Sequence, residues 1–319
     1  MSHVLAFREL PDDLLARLAA AHEVTVANPR KPEQYAAFMA ALPTARALIG
    51  SSFAITDALL DQAPLLKVIS SVSVGVDNYP LASLKTRGIA LCHTPGVLTE
   101  TTADTIFTLM LATCRRVLEL ANLVREGRWT RNIGEDLFGW DVHHKTVAIL
   151  GFGRIGQAVA RRAALGFGMS VLYTNRSPVQ APELQGKAHH VPLAQALAQA
   201  DIVVSTLPLT PQTHHLIDDA TLAQMRPGAF FVNGSRGGIV DSAALLRALD
   251  SGHLRGAGLD VFEPEPLPLD SPLRTHPRVT PLPHAGSATH ETRRAMAEMA
   301  VDNLLAVLDG RAPPAAYPL

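Results

Sequence analysis

The chain alternates short apolar runs with amphipathic stretches almost from its first residue. HVLAF (3–7), EVTVA (23–27), ARALI (45–49), LLKVIS (65–70) and IALCH (89–93) predict strands. Between them lie segments such as PDDLLARLAAAH, with apolar residues at the three-and-four spacing of a helix face. A long helix, TETTADTIFTLMLATCRRVLELANLVREG, is predicted from Thr99 to Gly127, and the less regular RWTRNIGEDLFGWDVHHK follows it. A second series opens at TVAIL (146–150) and continues through MSVLYT (169–174), ADIVVSTL (200–207), GAFFVN (228–233), GAGLDV (256–261) and RVTPLP (278–283). The last predicted helix, SATHETRRAMAEMAVDNLLAVLDG, ends near Gly310. Apolar strands alternating with helices are the pattern of parallel sheets covered on both faces, so two doubly wound α/β units are expected.

Composition narrows the partners. A length of 319 residues suits two domains. A net charge of −1 gives no global steering toward nucleic acid or an acidic membrane surface. No apolar run approaches the length that spans a bilayer. The start, MSHVLAFREL, lacks the basic, apolar and cleavage regions of a signal peptide. Cys92 and Cys114 both sit in apolar surroundings and are expected in the core. A cytoplasmic protein acting on a small molecule, with neither nucleic acid nor membrane as partner, is the expectation.

The chemistry starts at TVAIL-GFGRIG-QAVARRAA, where Gly151, Gly153 and Gly156 stand directly between a strand and a helix, as the dinucleotide fingerprint requires. Gly151 permits the tight turn, Gly153 lets a pyrophosphate approach the backbone, and Gly156 allows the helix to pack closely on the strand. The helix N-terminus, opening at Arg154 and Ile155, offers free N–H groups to phosphate. The next strand of such a unit normally ends on an acid that binds the ribose hydroxyls. This chain has Asn175-Arg176-Ser177 instead. A carboxylate would repel a 2′-phosphate, whereas a guanidinium pairs with it and the amide and hydroxyl donate further hydrogen bonds. The expected cofactor is therefore NADP(H).

Three ionisable residues follow strand ends in the second series: Arg236 in NGSRGG, Glu265 in FEPEPLP and His284 in LPHAGSAT. In open α/β sheets ligands collect beyond the carboxyl ends of the strands. GFGRIG, VNGSRGGIVD, GLDVFEPEPLP and PHAGSAT occur in this order, with HTPGVLTETTAD (93–104) and LPLTPQTHHLID (207–218). Together they resemble the D-isomer-specific 2-hydroxyacid dehydrogenases, and with the Asn-Arg-Ser turn the resemblance is to the NADPH-dependent glyoxylate/hydroxypyruvate reductase branch.

The resemblance covers nearly the whole chain and implies a flavodoxin-like substrate-binding domain, 1–99 plus 288–319, and a Rossmann NADP-binding domain, 100–287. It implies that Arg236 holds the substrate carboxylate and polarises the keto oxygen, that His284 is the general acid, and that Glu265 pairs with His284. A carboxylate beside an imidazole favours its charged form, and two cations aimed at the keto oxygen stabilise the charge that develops there. SVSVGVDNY (71–79) resembles the family's carboxylate-binding loop, with backbone N–H groups around Val74, Gly75 and Val76. By the same resemblance Leu207, Pro208, Thr213, Gly234, Ser235, Asp260, Gly286 and Ser287 line the cofactor. It also implies a homodimer; in relatives a segment neighbouring 128–141 can reach the partner's active site, so Trp129, Phe138 or Trp140 is expected either to shape substrate choice there or to pack in the core. Glyoxylate and hydroxypyruvate are the leading substrates; 2-ketogluconate, an arylpyruvate, or a nicotinamide-sensing binding protein on this fold are the alternatives.

Two positions depart from the family pattern. His143-His144-Lys145 stands where a glycine often precedes the lysine, and His93 replaces a frequent asparagine. The doublets His143-His144, His189-His190 and His214-His215 invite a metal reading. Adjacent side chains diverge on a helix or strand, and no cysteine or carboxylate sits at ligand spacing, so no metal is expected.

Overall fold

The computed structural model describes all 319 residues. Strands β1 (His3–Ala6), β2 (Glu23–Val26), β3 (Ala47–Gly50), β4 (Val68–Ser71) and β5 (Ala90–Cys92) form an all-parallel sheet in the order β2-β1-β3-β4-β5. That is the flavodoxin-like order. The sheet belongs to a unit made of Met1–Leu98 and Ala288–Leu319. Leu5, Leu48, Ile69 and Leu91 bury one face with Phe7 and Phe38. The helix His290–Leu308 packs on β3, β4 and β5. The Ser70 hydroxyl donates to the Ala300 carbonyl at 2.7 Å, and Asn303 donates to the His93 carbonyl at 3.0 Å.

The second unit, Thr99–Ser287, carries seven parallel strands. They are β6 (Thr146–Leu150), β7 (Ser170–Thr174), β8 (Ala188–His190), β9 (Ile202–Ser205), β10 (Ala229–Asn233), β11 (Leu254–Leu259) and β12 (Val279–Pro281), in the order β12-β11-β10-β9-β6-β7-β8. Alternate residues of one strand enter opposite cores, because successive side chains on a strand point to opposite faces. Val147 and Ile149 pack with Ile106, Met110 and Phe152, while Ala148 and Leu150 pack with Leu197, Leu245 and Leu249. The strand order reverses between β6 and β9, and such a reversal opens a crevice at the carboxyl ends of the strands.

The structure departs from the sequence expectation in three elements. The predicted helix 99–127 is two helices, Thr99–Cys114 and Val117–Arg125, broken at Arg116, which adopts a left-handed φ of 55°. The Arg116 guanidinium explains the break: it binds Glu119 at 2.7 Å and donates to the carbonyls of Asp136 and Phe138 at 2.6 and 3.2 Å. Strand β8 is absent from the sequence expectation; it is three residues long, lies at the sheet edge and is largely exposed. The last helix begins at His290, capped by the Thr289 hydroxyl, rather than at Ser287. Both cysteines are buried, and burial pushes the Cys92 thiol up to about 11 and the Cys114 thiol up to about 12.

Candidate active site

The glycine loop sits at the point where the strand order reverses. Gly151 follows β6 with φ of 90°, a conformation that side chains disfavour, and the Thr206 hydroxyl beyond β9 donates to its carbonyl at 2.6 Å. A side chain at Gly156 would meet the Gly151 carbonyl oxygen at 2.3 Å, so the helix Arg154–Arg161 can approach the strand only with glycine there. Gly153 differs: a side chain there would meet no atom within 4 Å. Its outer face is open, just where the helix N–H groups begin with exposed Arg154 and half-buried Ile155. An open, donor-rich turn of this kind accommodates a pyrophosphate.

At the end of β7 the Asn175-Arg176-Ser177 turn is exposed. Asn175 donates to the Ser177 carbonyl at 3.2 Å, and its own carbonyl meets His190 Nε2 at 3.1 Å. This fixes the turn's shape from both sides. The Arg176 guanidinium forms no hydrogen bond or ion pair within the chain and remains available to an anion.

Asp260, at the end of β11, organises the next part. It is buried, and its carboxylate accepts the N–H groups of Ala285 and Gly286 at 2.7 and 2.9 Å. Its carbonyl accepts the His284 N–H at 2.7 Å. These bonds hold His284 at a φ of 55°, a conformation a histidine keeps only when its surroundings enforce it. Burial raises the Asp260 carboxyl, with the Ala285 N–H and the His284 and Gly286 groups opposing and Glu265 adding to the rise.

His284 Nδ1 faces Glu265 Oε2 at 2.8 Å, and Glu265 Oε1 accepts the Phe262 N–H at 3.0 Å. Burial pushes the Glu265 carboxyl up, but the His284 and Phe262 hydrogen bonds and the charges of His284 and Arg236 outweigh it and hold it below its ordinary value. The carboxylate is thus kept charged and bonded to Nδ1, which leaves Nε2 of His284 without a protein partner. Arg236 leaves β10 through Gly234 and Ser235. A side chain at Gly234 would strike Ile106 at 2.3 Å, and Ser235 is buried, bonded to Asn233 at 2.7 Å and to Ser205 at 3.0 Å. The Arg236 guanidinium donates to the Ser235 carbonyl at 2.8 Å, and Asn233 donates to the Arg236 carbonyl at 2.9 Å. An acid held on a carboxylate, with a guanidinium whose charge reaches the same carboxylate, is equipped to protonate an oxygen on a bound anion.

Beyond β9, Leu207 lies against Gly151, while the Thr213 hydroxyl donates to the Pro208 carbonyl at 2.6 Å and accepts the Thr210 N–H at 2.8 Å. Thr213 therefore staples its own loop. Ser287 is half-buried beside Gly286, whose carbonyl receives the Thr105 hydroxyl at 3.3 Å.

A profile for the D-isomer specific 2-hydroxyacid dehydrogenase NAD binding domain matches residues 107–286. The chain is also 50% identical over 307 residues to glyoxylate/hydroxypyruvate reductase B of Yersinia pestis (strain Pestoides F), covering 96% of this chain and 94% of that protein. The chain belongs to the D-isomer specific 2-hydroxyacid dehydrogenase family. Solved structures agree on the fold. A protein from Thermus thermophilus superposes with a TM-score of 0.89 at 44% identity, covering 99% of this chain and 100% of that one. The NADPH-dependent glyoxylate/hydroxypyruvate reductase of Sinorhizobium meliloti, in complex with NADP and malonate, gives 0.88 at 32% identity, covering 99% and 96%.

In the first unit of this 2-hydroxyacid dehydrogenase, the Val74–Val76 loop follows β4. Gly75 N–H meets the Ser73 hydroxyl at 3.2 Å, whereas the N–H groups of Val74 and Val76 have no acceptor within the chain. His93, the departure from the family's asparagine, supports this loop: its Nδ1 faces the Val74 carbonyl at 3.1 Å. His144, where the family often has glycine, takes a left-handed φ of 60°, so the dehydrogenase keeps the turn at some strain.

Sequence reasoning missed Arg8. It follows β1, and its guanidinium donates to Ser51, beyond β3, at 2.7 Å. Together with Val72, Thr289, His290 and Arg293 it lines a cavity of about 400 Å³. Burial lowers its pKa, and the charges of Arg293 and Arg30 lower it further, as expected of a guanidinium crowded by its own kind. The signal was available: β1 and β3 are the strands at which this sheet reverses, and residues just beyond such ends face a crevice.

The structure also corrects one premise about the histidine doublets. At His214-His215 the side chains do not diverge. His215 adopts a φ of 50°, the two rings stack with centroids 4.0 Å apart, and Glu263 stands beside both.

Proposed function

We propose that this dehydrogenase is an NADPH-dependent reductase of small 2-keto acids, with glyoxylate and hydroxypyruvate as substrates and the D-2-hydroxy acid as product. The carrying observation is the joint arrangement of His284 on Glu265, with Arg236 acting on the same carboxylate. The similarity to relatives named for this activity supports the substrate class.

The residues present fit the cofactor: the open face at Gly153 takes the pyrophosphate, and the uncommitted Arg176 with Asn175 and Ser177 takes the 2′-phosphate. Bound there, NADPH supplies the hydride that reduces C2. Arg236 binds the substrate carboxylate and draws electron density toward the keto oxygen. In the first unit the N–H groups of Val74 and Val76 are open to a carboxylate. His284, held through Nδ1 by Glu265, delivers a proton from Nε2 to the keto oxygen as charge develops on it. Asp260 positions the backbone that carries His284. Leu207, Pro208, Gly234, Ser235, Gly286 and Ser287 shape the crevice around the cofactor.

Initial rates with glyoxylate and with hydroxypyruvate, each with NADPH and NADH, test the reading. Turnover favouring NADPH is expected. Turnover favouring NADH would return Arg176 to solvent, and no turnover with either acid would remove the substrate assignment.

A homodimer completes the reading. Val117, Leu118, Val124, Trp129, Ile133 and Phe138 are exposed apolar residues within one stretch of the sequence. We assign them to contact with a second copy of the chain. Sedimentation equilibrium giving a monomer at micromolar concentration would refute it.

A further inference from the structure

Outside the proposed active site, one cluster of metal-ligating groups is built rather than merely adjacent. We propose that His214, His215 and Glu263 form a binding site for one divalent transition-metal ion, with Zn²⁺ as the ion that fits the ligand chemistry.

Geometry supports the assignment. Nε2 of His215 lies 3.2 Å from Glu263 Oε2, and Nε2 of His214 lies 3.7 Å from the same oxygen. All three ligand atoms fall within 4.8 Å of one another. A tetrahedral zinc ion with bonds of about 2.1 Å sets its ligand atoms about 3.4 Å apart. The two measured spacings bracket that value, and the two stacked imidazoles must tilt for their nitrogens to converge on the ion. Two imidazoles and a carboxylate are a donor set for zinc and its late transition-metal neighbours, not for calcium or magnesium, which take oxygen ligands. The groups are about half exposed, so water can fill the remaining position.

The chain around the cluster is fixed on both sides. His214 N–H donates to the Thr210 carbonyl at 2.9 Å, inside the turn that Thr213 staples. His215 N–H donates to the Gly238 carbonyl at 2.8 Å, and Ile217 N–H to the Ile239 carbonyl at 3.0 Å. The left-handed conformation at His215 turns its ring back over that of His214, which an ordinary strand or helix could not do. Glu263 approaches from the segment after β11. An ion held here would join the loop beyond β9 to the segment that carries Glu265.

The test is zinc binding by the full-length protein after treatment with a chelator, read by competition with a chromophoric chelator of known affinity. The wild-type protein is expected to bind one Zn²⁺ per chain at this site. His215→Asn is the first variant, because asparagine tolerates the left-handed conformation and is a poor zinc ligand. Glu263→Gln is the second, keeping size but removing the charge. Each should weaken zinc affinity by more than about tenfold, the lower end of what even outer-shell substitutions cost. His143→Ala should leave affinity unchanged, since His143 lies outside the cluster, beside the His144 ring and the Asp141 carboxylate at 3.6 Å. Absence of zinc binding, or wild-type affinity retained in both His215→Asn and Glu263→Gln, overturns the proposal.

Discussion

His284 Nδ1 and Glu265 Oε2 are 2.8 Å apart, and this contact leaves the other imidazole nitrogen as the group that can reach a substrate. Because the backbone at His284 is held by Asp260, both the position and the direction of that nitrogen are set by the protein rather than by the ligand. If His284 supplies the proton, His284→Ala lowers kcat by about a hundredfold or more, the scale of losing a general acid. Glu265→Gln should lower kcat by a smaller factor with little change in KM, since the acid remains but is less well held. Steady-state kinetics on both variants checks this, and a normal kcat in His284→Ala would remove it from the mechanism.

Arg236 is expected to act on both binding and rate, since its charge meets the carboxylate before reaction and the keto oxygen during it. Arg236→Lys keeps the charge but loses the planar pair of donors that fits a carboxylate. KM for glyoxylate should rise and kcat fall together in this variant. Unchanged kinetics would move carboxylate binding away from Arg236.

The depressed Glu265 carboxyl makes a prediction about acid. Its folded-state value lies below its ordinary value of 4.5, so the stability it contributes is fully present above 4.5 and is lost as pH falls through the lower folded value. Asp260 runs oppositely: its raised carboxyl contributes stability below its ordinary value of 3.8, and that is lost as pH rises through the raised value. Glu265→Gln keeps Asp260 but removes the charge that adds to its rise, the smallest of the influences on that group, so the comparison with wild type reads mainly the first effect. Denaturant unfolding should show wild type more stable at pH 7 and the difference shrinking toward pH 3. A gap that widens with acid would contradict the sign.

The candidate residues stood out because each lies in a segment that follows a strand, and the strands were legible because burial on both faces leaves apolar runs such as TVAIL and GAFFVN. The missed features share a different cause. Arginine is a good helix former, and nothing near Arg116 in sequence signals that its guanidinium will bind carbonyls twenty residues on. The AHH of β8 is short and exposed, so it carries no apolar pattern. The stacked pair at His214-His215 depends on one left-handed residue that local sequence does not mark, since histidine gives no glycine-like signal. Each of these is a tertiary contact overriding a local preference.

Arg176 offers the sharpest reading of cofactor choice. Its guanidinium is uncommitted within the chain, so reversing its charge disturbs no internal bond. Arg176→Asp should therefore leave stability within about 0.5 kcal/mol, as for surface substitutions in general. The kcat/KM ratio for NADPH over NADH should fall by at least about tenfold, since a repulsive charge replaces an attractive one beside the 2′-phosphate. A stable variant with an unaltered ratio would place the 2′-phosphate elsewhere.

The two glycines of the loop separate packing from ligand binding. At Gly156 an added methyl would lie 2.3 Å from the Gly151 carbonyl oxygen, a contact with backbone that only a shift of helix against strand relieves. Overpacking of this kind costs about 1–3 kcal/mol, which in a domain of this size lowers the Tm by roughly 3–10 °C. At Gly153 the same methyl meets nothing within 4 Å, and the backbone φ of −76° suits alanine. Gly153→Ala should therefore keep the Tm and instead raise KM for NADPH, because the methyl occupies the face a pyrophosphate would use. Thermal unfolding and cofactor kinetics on the two variants distinguish the cases. A Gly153→Ala enzyme with both its Tm and its KM for NADPH unchanged would mean that the open face beside the helix N-terminus is not where the cofactor binds.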